Sequence, residues 1–487
     1  MTPAILAALA AVLLLGFAPA PARTATAAPP PKIATQRLLV VPLTGRRQHV
    51  ISTVALFHTL LNDFESESDG TTYVQTGDIP AMWVRDSSAQ TLPYIRFQRF
   101  FPLLRARFAG VIERNAKNIL VDPYANAFTN DYDVFERKWE IDSSAAEIGL
   151  AYTYWHETGD RTILTGTLHR ALRAVVDTYA CEQRHERCSR YRYSERTITA
   201  YNYAGNTGLI WSAFRPSDDA VRYRYNVPQE MLAAVAMNQL AALAREGYGD
   251  ANLAAAARAV GYGLEIGIER YGRYYDFKRG WMYVYETDAQ GHFLLADDAN
   301  IPDLLAIPFF GYRWSRDPTY LNTRSFILSS RNPFYYTGKY AQGLGSPHTP
   351  PGWVWPLGII TRGLTATSSL ETSQSITTLA ETDSSDFLIH ESFDPNAYWH
   401  FTRAEFGWAN ALYAELIFRA LAGFPAQDYN PPDPLLPVEP TSQTPSLAMP
   451  VVQLENQGRL VAILGELLQK LPEMPKRRTA AGVGRTR

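Results

Sequence analysis

The 487-residue chain contains only two cysteines, Cys181 and Cys188, in the stretch YACEQRHERCSR. Two thiols without CxxC spacing make neither a zinc site nor a disulfide-rich scaffold. In an exported protein they would close one small disulfide loop; unlinked thiols are the alternative. Histidine is also scarce, at nine, and no HExxH is present, so no metal site is indicated and no cofactor is expected. GxSxG, a phosphate-cradling glycine loop and a Ser-His-Asp arrangement are all missing. A basic excess is missing too. Lys+Arg number 46 against 48 Asp+Glu, the net charge is -2 and the pI is about 6.5. That balance excludes nucleic acid as a partner.

Long apolar runs are confined to one place. Residues 4–17, AILAALAAVLLLGF, are too short to span a bilayer comfortably and read as the apolar part of a secretory signal. Ala18, Ala20 and Ala22 follow as cleavage-type small residues, although no Lys or Arg precedes the run. The reading is a signal peptide over 1–22, with an uncleaved anchor as the alternative. It places the protein outside the cytoplasm, secreted or periplasmic, without stable membrane association. Residues 23–45 form a lead-in. After Phe424 the chain turns Pro-rich; 455–471 has the spacing of one amphipathic helix, and PKRRTAAGVGRTR ends the chain basic.

What is abundant is helical periodicity, aromatics and carboxylates. Apolar residues recur at helical spacing in 49–64, 105–120, 142–160, 161–182, 226–247, 250–272, 353–366, 369–384 and 404–424. Asn226 and Pro228 read as a helix start, Ser144 and Glu147 as a capping box, and Gly159 as a stop. KRGWMYVYETDAQGHFLLADD (278–298) alternates like a small strand insertion turning at Gln290-Gly291. Helices arriving in sequential pairs over 46–424 predict an all-α domain, a closed toroid of helix hairpins with small β insertions. An open superhelix is the alternative, but no fixed repeat period is found.

The loops between these helices carry the unusual chemistry. GDIPAMWVRDSSAQTLP (77–93) gathers Asp78, Trp83, Arg85, Asp86, Ser87 and Gln90. Carboxylates accept from vicinal hydroxyls, arginine donates in a rigid fork and tryptophan lies on the apolar face of a sugar. The plainer reading is a buried Arg85–Asp86 ion pair tying two helices together. Further polar and aromatic loops are FERKWEIDS, WSAFRPSDDA, ADDANIPDLLAIPFFGY, GLGSPHTPPGWVWP and LIHESFDPN. Many carboxylates with neither metal nor activated nucleophile point to glycoside hydrolysis, which needs an acid with a raised pKa and a second carboxylate. The doublet Asp218-Asp219 and Glu391 are the candidates. The plainer readings are a helix N-terminus and a surface carboxylate.

Six motifs in order, GDIPAMWVRDSSAQTLPY, ERKWEIDS, GLIWSAFRPSDDA, DDANIPDLL, SPHTPPGWVWP and HESFDPN…FTRAEFGWANALYAELI, resemble glycoside hydrolase family 125 over about Arg46 to Gly423. The resemblance implies an (α/α)6 toroid and a metal-independent, inverting exo-α-1,6-mannosidase. Its partner would be a mannose-containing oligosaccharide, an N-glycan fragment or α-mannan. It implies Asp218 as general acid, with Asp219 as the alternative and otherwise a sugar-binding neighbour, and Glu391 as general base. It implies Trp83, Arg85 and Asp86 as the mannose grip, Glu140 and Asp142 as pocket or supporting residues, and Asp298, Asn300 and His348 as hydroxyl contacts. The segment 179–193 would shape the leaving-group side. The competing readings are a mannan-binding protein that has lost catalysis, against which the intact Asp218, Asp219 and Glu391 argue, and another (α/α)6 exo-glycosidase.

Overall fold

The computed structural model describes residues 38–39, 43, 45–98, 101–193, 205–422 and 424–425. The expected signal peptide, most of the lead-in and the Pro-rich extension lie outside the described residues. The chain divides into two units, Met1–Thr441 and Ser442–Arg487, and every described residue belongs to the first.

Eleven α-helices of eight residues or more occur among the described residues. They are α1 (Arg46–Asn62), α2 (Val84–Thr91), α3 (Pro102–Val121), α4 (Ile141–Thr158), α5 (Gly166–Glu182), α6 (Val227–Ala242), α7 (Ala251–Tyr271), α8 (Pro318–Ile327), α9 (Pro356–Leu364), α10 (Ser369–Glu381) and α11 (Gly407–Ala422). Helices α2, α4 and α6 pack in succession, α9 packs on α11, and α11 returns to α2, making an inner ring. Helices α3, α5 and α7 pack on one another, and α10 packs on α1. They form the outer layer, so the chain alternates outer and inner, and its last helix closes on its first.

The sequence explains the two layers. Outer α7 buries only a stripe, Leu253, Ala257, Val260, Leu264 and Ile268, and leaves Tyr262 and Ile266 exposed. Inner α6 is buried on nearly every face, which its alanines allow. Gly261 lets the two approach: a Cβ there would sit 3.2 Å from that of Met237. In the alternation, an inner helix is due between α7 and α8. Residues 297–312 stand there as a run of turns instead. Asp297 accepts from the N–H groups of Leu304 (2.9 Å) and Leu305 (3.1 Å), and Asp303 accepts from Ala306 (2.7 Å). Buried carboxylates replace the missing helical ladder.

Short two- and three-stranded sheets decorate one end. The strand Glu286–Thr287 pairs antiparallel with both Tyr225–Asn226 and Phe293–Leu294, which realises the expected insertion at 278–298. Gly159 stops α4 in the left-handed region (φ 67°), and Asn226 caps α6 by accepting from Gln229 N–H at 3.3 Å. The capping box at Ser144 and Glu147 is not formed. The N-cap of α4 is Glu140, and both residues sit inside the helix, where Ser144 Oγ meets Tyr179 Oη at 2.9 Å and Glu147 accepts from Asn115 at 2.9 Å. A serine three residues before a glutamate fits a buried inner helix as well as a helix start.

The disulfide Cys181–Cys188 is formed, with a Cα–Cα distance of 5.2 Å. It braces a turn in which the His185 ring stacks on Trp211, centroids 3.8 Å apart, and bonds Glu182 at 2.6 Å. Closing so short a loop restricts the unfolded chain by about 2–3 kcal/mol. The double substitution Cys181→Ser, Cys188→Ser is therefore expected to lower Tm by several degrees. An unchanged melting curve would show that the turn holds without the bond.

Candidate active site

The N-termini of the inner helices converge at the end that carries the loops. The N-cap positions of α2, α4 and α9 (Trp83, Glu140 and Trp355) carry no side-chain cap. The first turns of α2, α4 and α6 contain Asp86, Asp142 and Glu230. Positive helix ends and acidic residues thus meet in one place.

Arg85, in the first turn of α2, organises the floor. Its Nη1 donates to Glu140 Oε2 at 2.8 Å and to Asp142 Oδ2 at 2.9 Å. Its Nη2 lies 3.2 Å from Asp86 Oδ2 and 3.9 Å from Asp218 Oδ1. The guanidinium rests over the Trp408 ring, 5.0 Å from its centroid. The Arg85–Asp86 pair read from the sequence exists, as one of four around a single cation, but both residues belong to α2 and it ties no two helices; the bonds to Glu140 and Asp142 join α2 to α4. Glu140 and Asp142 have no exposed side-chain surface, so they stand behind Arg85 and set its fork. Trp83 is buried against Ala81, Ala127 and Ile79, with its ring edge-to-face on Phe135 at 5.7 Å.

Four carboxylates about one cation cannot all be charged in a buried site. Burial, and then the charge of Asp218, push Glu140 well above the usual carboxylate range. Burial also acts to raise Asp218. The hydrogen bond from Glu140 and the charges of Arg85, Lys138 and His348 outweigh it and hold Asp218 below the usual range. The two carboxyls are thus pulled in opposite directions, Glu140 toward its protonated form and Asp218 toward its charged form. Asn126 spans the two, its Nδ2 lying 3.3 Å from Glu140 Oε1 and 3.2 Å from Asp218 Oδ1.

Asp86 is raised from 3.8 to about 6, chiefly by burial. A carboxyl raised on folding binds more protons in the native state, so its contribution to stability falls as pH rises between those two values. Asp86→Asn is expected to stabilise the fold above about pH 6 by about 1–3 kcal/mol and to leave it unchanged below about pH 4. A thermal shift that is the same at both pH values would contradict this.

The loop of Asp218 and Asp219 is pinned from below. Trp139 O accepts from Ala213 N–H (3.3 Å) and Phe214 N–H (3.2 Å), and Trp139 Nε1 donates to Trp211 O at 2.7 Å. Gln229 of α6 accepts from Ile141 N–H (2.8 Å) and donates to Phe214 O (2.8 Å), locking the start of α4 to this loop. Asp218 itself sits in the left-handed region (φ 64°), held by a tight turn in which Arg215 N–H donates to Asp219 O at 2.8 Å. Aspartate tolerates that backbone better than most residues, and such strain collects at functional sites. Asp219 accepts from Ser217 Oγ at 3.0 Å and lies 3.6 Å from His348 Nδ1.

Across the pocket, Glu391 precedes the strand Ser392–Asp394 and is nearly buried. Burial raises its carboxyl above the usual range, against the pull of Arg403, a hydrogen bond from Thr402 and the charge of His348. Arg403 Nη1 stands 4.0 Å from Glu391 Oε1, while its Nε binds Asp78 and its Nη2 donates to Thr76 O at 3.0 Å. Gly77 makes this junction possible. Its φ is 60°, and a Cβ there would fall 1.9 Å from Glu405 O, the acceptor for Asp78 N–H.

His348 is the hinge of the arrangement, because Asp219, Asp218 and Glu391 all act on its charge and raise its pKa against burial. Asp298 and Asn300 are deeper. Asp298 Oδ1 accepts from Asn300 Nδ2 at 2.8 Å, and Oδ2 accepts from Ser346 Oγ at 3.1 Å. Both are almost fully buried, so they support the His348 loop from beneath. The structure thus gathers Asp218, Asp219, Glu391, Arg85, Asp86 and His348, and sets Glu140, Asp142, Asp298 and Asn300 behind them. Sequence reasoning missed Asn126, Trp408 and Arg403. The last two lie inside a quoted motif but carry no chemistry on their own, and Asn126 sits in DPYANAFTNDYDVFE, an acidic and aromatic stretch that falls almost wholly before the quoted ERKWEIDS.

Residues 49–418 match the model of the metal-independent alpha-mannosidase family, GH125. Among curated proteins, the "Meiotically up-regulated gene 157 protein" of Schizosaccharomyces pombe is 34% identical over 397 residues, covering 72% of this chain and 77% of that protein. A solved Streptococcus pneumoniae metal-independent α-mannosidase, in a non-productive substrate complex with α-1,6-mannobiose, superposes with a TM-score of 0.74 at 34% identity, over 77% of this chain and 94% of that one. A bacterial glucoamylase complexed with acarbose superposes with a TM-score of 0.54 at 13% identity, over 78% and 56%, a likeness of fold alone. The toroid expected from the helix pairs is thus the (α/α)6 fold of such glycosidases.

Proposed function

Because the chain belongs to the GH125 family of metal-independent α-mannosidases, we propose that it removes a terminal, non-reducing α-1,6-linked mannose from an oligosaccharide with inversion. Hydrolysis of a mannoside is the family's chemistry; the linkage, the exo action and the stereochemistry are this proposal. The observation that carries it is that two separate carboxylate groups meet at His348: Asp219 lies 3.6 Å from its Nδ1, Asp218 is bridged to Glu140 by Asn126, and Glu391, 4.0 Å from Arg403, bears on the same ring from another loop. The solved relative bound to α-1,6-mannobiose supports the linkage.

Glu391 serves as general base. Burial raises its affinity for a proton, and Arg403 holds its orientation, so it can take a proton from the attacking water. Asp218 serves as general acid, with Asp219 as the alternative. The proton favoured on Glu140 passes by way of Asp218 to the glycosidic oxygen as its bond to the terminal mannose breaks, and the pair is reprotonated from solvent once Glu391 releases the proton it took from the attacking water. Inversion requires acid and base roughly 6.5–9.5 Å apart, so that water fits between base and sugar. Arg85 and Asp86 grip the mannose hydroxyls, with Trp83 beneath. Export through residues 1–22 belongs to the same proposal, since α-mannan and N-glycans lie outside the cytoplasm.

The test compares α-1,6-, α-1,3- and α-1,2-mannobiose, each with and without EDTA. The expected result is cleavage of the 1,6 isomer at least tenfold faster than the others, with no effect of EDTA. Preference for another linkage, or loss of activity with EDTA, would overturn the corresponding part of the proposal.

A further inference from the structure

Two hairpins are rooted at the pocket and share one tip. In the first, the strand Gln342–Leu344 pairs with Tyr335–Thr337 and runs on into the His348 loop. In the second, Ser392–Asp394 pairs with Ala397–Thr402, with Glu391 immediately before it and Glu391 N–H donating to Thr402 O at 3.3 Å. The roots are tied by reciprocal 2.9 Å backbone bonds between Val354 and Phe393. The tips are tied as well. Tyr340 N–H donates to Pro395 O at 2.9 Å, and Lys339 N–H donates to Asn396 Oδ1 at 3.0 Å.

That joint tip is aromatic and open to solvent. Trp399 is 54% exposed and Tyr340 39%. The rings of Tyr340, Tyr398 and Trp399 form a triangle, with centroids 5.2, 5.4 and 6.3 Å apart. Lys339 Nζ lies 4.6 Å from the Tyr340 centroid and donates to its hydroxyl at 2.9 Å. Packing within the core does not require such exposure; exposed aromatic patches mark binding surfaces. Along the strand, Trp399 is on the order of 10 Å from Thr402, the residue beside the base.

We infer that Tyr340, Tyr398 and Trp399 form a distal saccharide platform that holds the leaving chain of an α-linked manno-oligosaccharide longer than a disaccharide. The inference rests on the proposed mannosidase reading. The occupant follows from continuity: both hairpins grow out of the pocket, so whatever extends from the reacting disaccharide along them meets these rings. Aromatic faces accept the apolar faces of sugar rings, and the Tyr340 hydroxyl and Lys339 ammonium supply polar contacts at the edge.

The test measures kcat/KM for α-1,6-mannobiose and α-1,6-mannotetraose with the wild type, Trp399→Ala and Tyr340→Ala. The expected result is a wild-type preference for the tetraose, reduced about fivefold to tenfold in Trp399→Ala through KM, with mannobiose kinetics unchanged. Equal kinetics of Trp399→Ala and wild type on the tetraose would overturn the platform. So would an equal loss on both substrates, since that marks a structural effect. A wild type inactive on every mannoside would overturn the catalytic reading itself. In that case tryptophan fluorescence titration with mannotetraose reads the platform separately: saturable quenching in the wild type that Trp399→Ala abolishes supports it, and its absence removes it.

Discussion

Glu391→Gln is expected to lower turnover of α-1,6-mannobiose by about 10²–10⁴-fold and to leave KM within a few-fold of wild type. The amide matches the carboxylate in shape but cannot accept a proton from water. Its surroundings survive the exchange: Thr402 still pairs with the backbone of residue 391, and Arg403 keeps Asp78 and Thr76 O. Removing a buried carboxylate whose pKa is already raised costs the fold little, so Tm should hold or rise slightly. A loss in KM alone would mean that Glu391 grips sugar, and wild-type turnover would remove it from the base role. The measurement is initial-rate kinetics alongside a melting curve.

Arg85→Met is expected to have the largest effect on stability, a loss of about 3–5 kcal/mol near neutral pH. The side chain is buried and surrounded by Asp86, Glu140, Asp142 and Asp218. Methionine fills much of the volume but removes the one cation that all four carboxyls share, leaving only the more distant Lys138, His348 and Arg403. Those still charged respond by binding protons, and a carboxyl raised on folding stabilises the native state at low pH and ceases to do so as pH rises. The deficit in Tm should therefore be large at about pH 7.5 and shrink at about pH 5. A deficit independent of pH would mean that Arg85 acts through packing on Trp408 alone. Activity on mannobiose should be lost at either pH, because the fork that grips hydroxyls is gone.

Much of the architecture could be read from the chain because it rests on local signals. The stripe Leu253–Ala257–Leu264–Ile268, the cap at Asn226 and the stop at Gly159 depend only on nearby residues. The same logic fails at Ser144 and Glu147, where a local pattern is overridden by burial in the inner ring. It holds at 297–312, read from the sequence as a loop, where Asp297 and Asp303 hold turns in place of the inner helix that the alternation would put there.

The site divides in the same way. Arg85, Asp86, Asp218 and Glu391 are legible because unusual residue types crowd into short loops. What those loops do not encode is depth. ERKWEIDS leaves open whether Glu140 and Asp142 line the pocket or support it; they lie behind Arg85 because α4 begins between them. Asn126 and Arg403 each join a near partner, Glu140 and Glu391, to one about 90 and 325 residues away, Asp218 and Asp78. The opposite pull on the carboxyls of Glu140 and Asp218 depends on burial and on neighbouring charges, neither of which a sequence displays.

The most direct test of the account is proton NMR of the first minutes of α-1,6-mannobiose hydrolysis by the purified protein with no metal added. The account predicts that β-mannose appears first and that the α anomer grows in only as the sugar mutarotates, because Glu391 directs water to the face opposite the leaving group. Initial release of α-mannose would contradict it, and would make Glu391 a nucleophile rather than a base.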